Sequence, residues 1–263
     1  MLFVRLEFSQ AFMIDVHKDV VTQALEGVFD PQGLDQVVLA DQNTDVKEYS
    51  LPEAHFDSET LPEGGARLAT LLADAVQQSF EHNRNAALES FGRALHTLQD
   101  FYSHSTWAER NCLEAELQIH PDIYNIAKPD ANFVCVKTPG PQGNRLAITT
   151  EYYPDRDTPE GKCSHGELNK DAANERTSPE SMVECNDKIL FDIAVSMAVQ
   201  HTWEFYLDFE EMARTQHPDE ADDIIHYFTK GGMTCATVPG SSTGMFLGFM
   251  LLLPLGLAWR VRR

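Results

Sequence analysis

His96, Asp100 and His104 stand four residues apart in the run LHTLQDFYSHSTW, residues 95–107. On an α-helix that spacing places imidazole, carboxylate and imidazole on one face, about a turn apart. Leu95, Leu98 and Phe101 lie on neighbouring faces and would hold such a helix in a core. Zinc takes imidazole nitrogen and carboxylate oxygen, so the ladder reads as a zinc-ligand helix. The alternative is a hydrogen-bonded polar stripe in which each His is satisfied by a carboxylate. Two further segments offer donors: His55-Phe56-Asp57, which follows a polar stretch holding Asp41 and Asp45, and His17, set among Val20, Val21 and Ala24. With ligands from those segments, a site for more than one ion becomes possible. Calcium suits the set less well, because it prefers all-oxygen shells. No Gly-rich phosphate loop, GxSxG elbow or HExxH motif competes with this reading.

The elements that must position these residues read as helices. Apolar positions recur at helical period over residues 14–29, 63–84, 86–108, 187–213 and 218–229. Asp30-Pro31-Gln32-Gly33 stops the first of them. Residues 34–40 read as a short apolar segment and the stretch to Phe56 as polar. Residues 109–180 carry seven prolines and no clear period, the pattern of an irregular region held by disulfides or by function. Within it, residues 146–153 (LAITTEYY) read as a strand. The expected class is therefore all-α: a helical domain over residues 13–230, with a poorly defined segment 1–12 before it and a linker plus apolar segment 231–263 after it.

Five cysteines, at 112, 135, 163, 185 and 235, form no CxxC pair, so neither a zinc ribbon nor a thioredoxin-type motif is expected. Four of them bracket the irregular region, and two disulfides in an oxidising compartment are the expectation. Residues 1–12 lack the pattern of a signal peptide. Residues 241–259 are free of charge, and Arg260-Val261-Arg262-Arg263 follow. That length approaches a membrane span, and the positive-inside rule would place the main domain outside the cytoplasm. The small-residue motif, apolar stretch and Arg cluster resemble bacterial sorting tails of the GlyGly-CTERM and MYXO-CTERM kind. The implied location is a cell-surface or secreted one, with the tail kept as an anchor or cleaved. The net charge of −21 disfavours long nucleic acids as partners. Bound cations would offset part of it.

The motif LHTLQDFYSHSTW also resembles the signature of Het-C-type proteins, a branch similar to the zinc-dependent phospholipase C and single-strand nuclease superfamily. The resemblance covers residues 13–108 and, loosely, 163–210. It implies an all-α fold and a cluster of two or three zinc ions held by His17, Asp41, His55, His96, Asp100 and His104. Asp41 becomes the candidate general base, with Asp45 as the alternative. The segment CSHGELNKD, residues 163–171, resembles one in the Het-C-like branch. It makes His165 the first choice for a further ligand, with Glu167 or Asp171 as companion; His201 and Glu204 are the second choice. The implied reaction is attack of a metal-activated water on a phospholipid or small phosphodiester. Phe101, Tyr102 and Trp107 would line the substrate pocket or fill the core. The competing reading is a non-catalytic, zinc-stabilised surface or interaction protein. It draws on two departures from the superfamily: no N-terminal Trp, and no clear H-xxx-[ED] pair.

Overall fold

The periodic stretches fold as helices around one long apolar core. A computed structural model describes residues 12–114, 116–129, 134–135, 148–153 and 157–232. In chain order the helices are α1 (Ile14–Leu25), α2 (Pro31–Lys47), α3 (Pro52–His55), α4 (Leu61–Phe80), α5 (Arg84–His104), α6 (Trp107–Asn111), α7 (His165–Leu168), α8 (Leu190–Gln216) and α9 (Ala221–Lys230). A two-residue hairpin, β1 (Glu184–Cys185) with β2 (Lys188–Ile189), leads into α8. The fold is all-α, as expected.

Helix α5 is the axis. Every residue from Ala94 to His104 is buried, and α2, α4 and α8 pack around it. Phe91, two turns from its start, meets Phe29, Phe205 and Phe228. This aromatic layer anchors one end of α5 and leaves the other end to polar side chains. Burying rings of this size supplies about 1.5–3 kcal/mol each, and fixes where the helix sits.

The stretch read as polar after residue 40 is helical, continuous with the apolar segment before it. Helix α2 starts at an Asp30 cap, whose side chain accepts from the Gly33 amide at 2.9 Å, with Pro31 in the first turn. Its buried face is Val37, Ala40, Asp41, Thr44 and Asp45. That face has helical spacing but polar content, so a search for apolar period does not find it. The contact face on α5 contains Gly92, one turn before His96. A methyl built at Gly92 would sit 2.5 Å from the Val37 carbonyl oxygen and 2.6 Å from the Ala40 Cβ. The missing side chain lets α2 approach closely enough for its carboxylates to reach His96.

Among the described residues, the region read as irregular is so, apart from short helical turns. The expected strand is not formed over residues 148–153. Isolated bridges, Ser105 with Thr150 and Tyr152 with Ser164, fasten this segment to the end of α5 and to the loop before α7. With a single backbone partner on each side, it has no ladder to extend. The two expected disulfides are Cys112–Cys185 and Cys135–Cys163.

The membrane anchor is not supported: among the described residues, no helix is long and apolar enough to cross a membrane. The expected surface location loses that basis. The apolar segment 241–259 and Cys235 lie outside the described residues.

Gly92→Ala is expected to push α2 off α5 and lower stability by about 1–3 kcal/mol, the usual cost of overpacking. Denaturant unfolding of the purified variant checks it; wild-type stability would contradict the close approach.

Candidate metal centre

Four helices deliver one group of side chains. His17 comes from α1, Asp41 and Asp45 from α2, His55 from the end of α3, and His96 and Asp100 from α5. All six are buried. The stretch after α3 reaches its position by a sharp turn, in which Phe56, Ser58 and Glu59 take φ of 55°, 56° and 58°. Left-handed geometry costs a non-glycine residue about 1–3 kcal/mol, and such strain collects where placement of neighbouring groups matters. Here it turns His55 toward one histidine of α5 and Asp57 toward another.

Each imidazole of this inner group turns one nitrogen outward to an acceptor. His17 Nδ1 donates to the Gln99 Oε1 at 2.7 Å. His96 Nδ1 donates to Asp41 Oδ1 at 3.2 Å. His55 Nε2 donates to the Glu48 carbonyl at 3.3 Å. The remaining nitrogens face inward. His96 Nε2 lies 3.1 Å from His55 Nδ1 and 3.0 Å from Asp100 Oδ2. His55 Nδ1 is 2.9 Å from the same oxygen, and His17 Nε2 is 3.3 Å from Asp100 Oδ1. Lone pairs crowded this closely repel unless a proton or a cation lies among them. His17 Nε2 and Asp100 Oδ1 face each other, while Asp41 Oδ2 and both Asp45 oxygens make no hydrogen bond. Buried polar atoms are nearly always paired, so three orphaned carboxylate oxygens in one place call for a partner.

The charges say the same. Burial opposes a proton on His96, but Asp100 and Asp45 outweigh it and hold its pKa well above the ordinary value. Burial and the charge of His96 likewise oppose protonation of His17, and Asp41 and Asp100 outweigh them. Burial raises Asp100, yet His96, His17 and His55 pull it well below the usual carboxylate range. Burial pushes Asp45 up. The carboxylates thus favour positive charge on His96 and His17 in a dry space.

A second, outer group forms at the last turn of α5. His104 Nδ1 is 3.0 Å from Asp57 Oδ1 and 3.5 Å from Glu151 Oε1, and its Nε2 is 3.4 Å from Asp171 Oδ1. His165 contacts Glu151 through Nδ1, and Asp171 Oδ2 at 3.2 Å through Nε2. His104 Nε2 and Glu151 Oε2 are again orphans. Burial pushes Glu151 up to about 7, against the pull of His104 and His165. Three triads have ligand atoms that all lie within 4.8 Å of one another: His17/Asp45/His96, His55/His96/Asp100 and His104/Glu151/His165.

The structure therefore gathers His17, Asp41, His55, His96 and Asp100, with Asp45, in one group and His104 with His165 in another. It places Asp171 in the outer group. Glu167 lies elsewhere in role: its carboxylate accepts from the Ser164 amide and hydroxyl, both at 3.0 Å, as the cap of α7. His201 pairs with the Tyr102 hydroxyl at 2.6 Å, and Glu204 is exposed. Phe101, Tyr102 and Trp107 are core residues. Asp41 is fully buried behind His96, a position that orients an imidazole. Sequence reasoning missed Glu151 and left Asp57 without a role. Glu151 carries no periodic signal, since its segment is neither helix nor ladder. Asp57 stands two residues after His55 and was within reach of the same argument.

Comparison with known proteins decides the family. Residues 20–217 match the VWA7 N-terminal domain. The chain belongs to the VWA7 N-terminal domain family. It is 33% identical over 129 residues to the rat von Willebrand factor A domain-containing protein 7, covering 44% of this chain and 14% of the relative. The human protein of that name is 32% identical over 158 residues, covering 50% of this chain and 17% of the relative. The chain thus spans about a sixth of these relatives' length. No solved structure matches. The assignment to the Het-C and phospholipase C superfamily is overturned by this match, and with it the phosphodiester hydrolase function and the roles of Asp41 or Asp45 as its general base. His, Asp and His at helical spacing do not by themselves specify a superfamily.

Burial holds His201 at a pKa of about 3, and the nearby His120 adds to the effect. Unfolding frees it to the ordinary value of about 6.5. The unfolded chain then binds the extra proton between those values, so stability falls as pH drops from about 6.5 toward about 3. In His201→Leu that component of acid destabilisation is expected to disappear while metal content stays at the wild-type level. Unfolding midpoints across that pH range, with metal analysis at neutral pH, check both.

Proposed function

We propose that this VWA7 N-terminal domain is a metal-centred helical module, whose inner and outer groups together hold two or three zinc ions. One observation carries the reading: unpartnered imidazole nitrogens and carboxylate oxygens from separate helices converge in a buried space. The donor set is nitrogen and carboxylate oxygen, with no thiolate, since the four described cysteines are paired in disulfides. That set suits zinc. Gln99, Asp41 and the Glu48 carbonyl take the outward N–H of each inner imidazole, as second-layer acceptors do for zinc-bound histidines.

The ions would organise the domain. Zinc in a structural site is closed by its protein ligands, whereas a catalytic zinc keeps a position open to water. The inner ligands His17, His96 and Asp100 are 0% exposed, as is Asp41 behind His96, which favours the closed kind. An ion there ties α1, α2, α3 and α5 through their side chains, and an ion in the outer group ties the irregular region to α5.

Metal analysis of the purified full chain is expected to find about two to three zinc ions per molecule. Chelation should lower the thermal midpoint by about 5–15 °C, the effect of removing tightly bound ligands from a domain of this size. His96→Ala should lose inner-group zinc and retain the outer ion. Protein free of zinc, with a thermal midpoint indifferent to chelator and to added zinc, would defeat the proposal.

A further inference from the structure

Glu151, His165 and Asp171 reach α5 on chain whose described part holds only the single turn α7, so something must hold them. Lys170 sits between His165 and Asp171 on that segment and is fully buried. Its Nζ donates to the Ser105 carbonyl at 3.0 Å, the Leu168 carbonyl at 2.9 Å and Glu109 Oε1 at 2.9 Å. An ammonium has three N–H donors, and all three are matched. The Lys170 backbone amide also donates to the Ser103 carbonyl at 3.2 Å. Ser103 and Ser105 flank His104, at the end of α5 where helical carbonyls lack partners within the helix. A cation there also meets the negative end of the helix dipole.

The consequence falls on the ligands beside it. Asp171 accepts from the Ser103 hydroxyl at 2.7 Å and lies against both His104 and His165. The Leu168 carbonyl that Lys170 grips belongs to the last residue of α7, the turn that begins at His165. Glu109, from α6, completes the grip, and its other oxygen has no hydrogen bond. Neither Lys170 nor Glu109 belongs to the triad of ligand atoms itself.

We infer that Lys170, paired with Glu109, is a positioning residue for the outer metal group, locking the His165–Asp171 limb onto the end of α5 so that its ligands meet His104. The inference rests on the metal-centre reading. It assigns the outer ion's affinity partly to a buried ion pair that touches no metal.

The test is cobalt(II) titration of the full, oxidised chain after chelator treatment, followed by visible absorption, which reports ligand geometry. His165→Ala identifies which component belongs to the outer group. Lys170→Met is expected to weaken that component about 10–100-fold, the range for supporting residues around a metal, and to shift its absorption bands, with the inner component unchanged. Because Lys170→Met strands Glu109 as a buried unpaired charge, the double variant Lys170→Met/Glu109→Met is made alongside; it removes both charges and should show the same selective weakening. A folded variant of either kind with the wild-type outer affinity and spectrum would overturn the positioning role. Equal weakening of both components would also overturn it, by reducing Lys170 to general stability. Wild-type protein that binds no cobalt would overturn the metal centre itself and this inference with it.

Discussion

Asp100 is the constraint around which the domain is arranged. One buried carboxylate stands within 3.3 Å of imidazoles from α1, α3 and α5. A charge so placed is tolerable only when countercharge surrounds it, because desolvation of a lone carboxylate costs several kcal/mol. That requirement sets the positions of three helices at once. The imidazoles that surround Asp100 are met in turn by carboxylates, which α2 presents where an ordinary packing face would present leucine, and Gly92 leaves room for that helix. Elsewhere along α5 the aromatic layer of Phe91, Phe205 and Phe228 supplies the opposite kind of cohesion. The helix is thus clamped by apolar burial at one end and by electrostatics at the other.

Much of this was legible in the residues. The spacing of His96, Asp100 and His104 places them on one face of a buried helix, which α5 confirms. The long helices followed from apolar period, and the disulfides from cysteine placement in the proline-rich region. The rest was hidden for physical reasons. Helix α2 buries polar side chains, so apolar periodicity ends halfway along it. Glu151 and Asp171 reach the outer group through tertiary placement of irregular chain, and no local pattern encodes where such chain goes. One ladder of ligands became two groups because His104 lies two turns beyond His96, a span that directs each toward different partners.

The family correction has a related cause. Residue types at ligand spacing specify which ions a fold can hold; they specify neither ancestry nor reaction. The same helix motif serves the VWA7 N-terminal domain with Glu151 and Lys170 around it. Near the inner carboxylates, the surroundings are helices and second-layer acceptors, with Gln99 and the Glu48 carbonyl filling the places behind the imidazoles.

The disulfides set three residues of the outer group apart from the rest by connectivity. Cys112–Cys185 joins residues 73 apart, and Cys135–Cys163 is nested inside that loop with a separation of 28. All inner ligands lie before the larger loop, whereas Glu151, His165 and Asp171 lie within it. Closing a loop of that size removes unfolded-state entropy worth about 4 kcal/mol on the chain-entropy account. An oxidised chain that has lost its tertiary packing still keeps three outer donors on a short tether from α6. The inner donors have no such tether and must find one another through helix packing alone. Thiol oxidation therefore confines Glu151, His165 and Asp171 to the neighbourhood of α6 and leaves the inner group to helix packing.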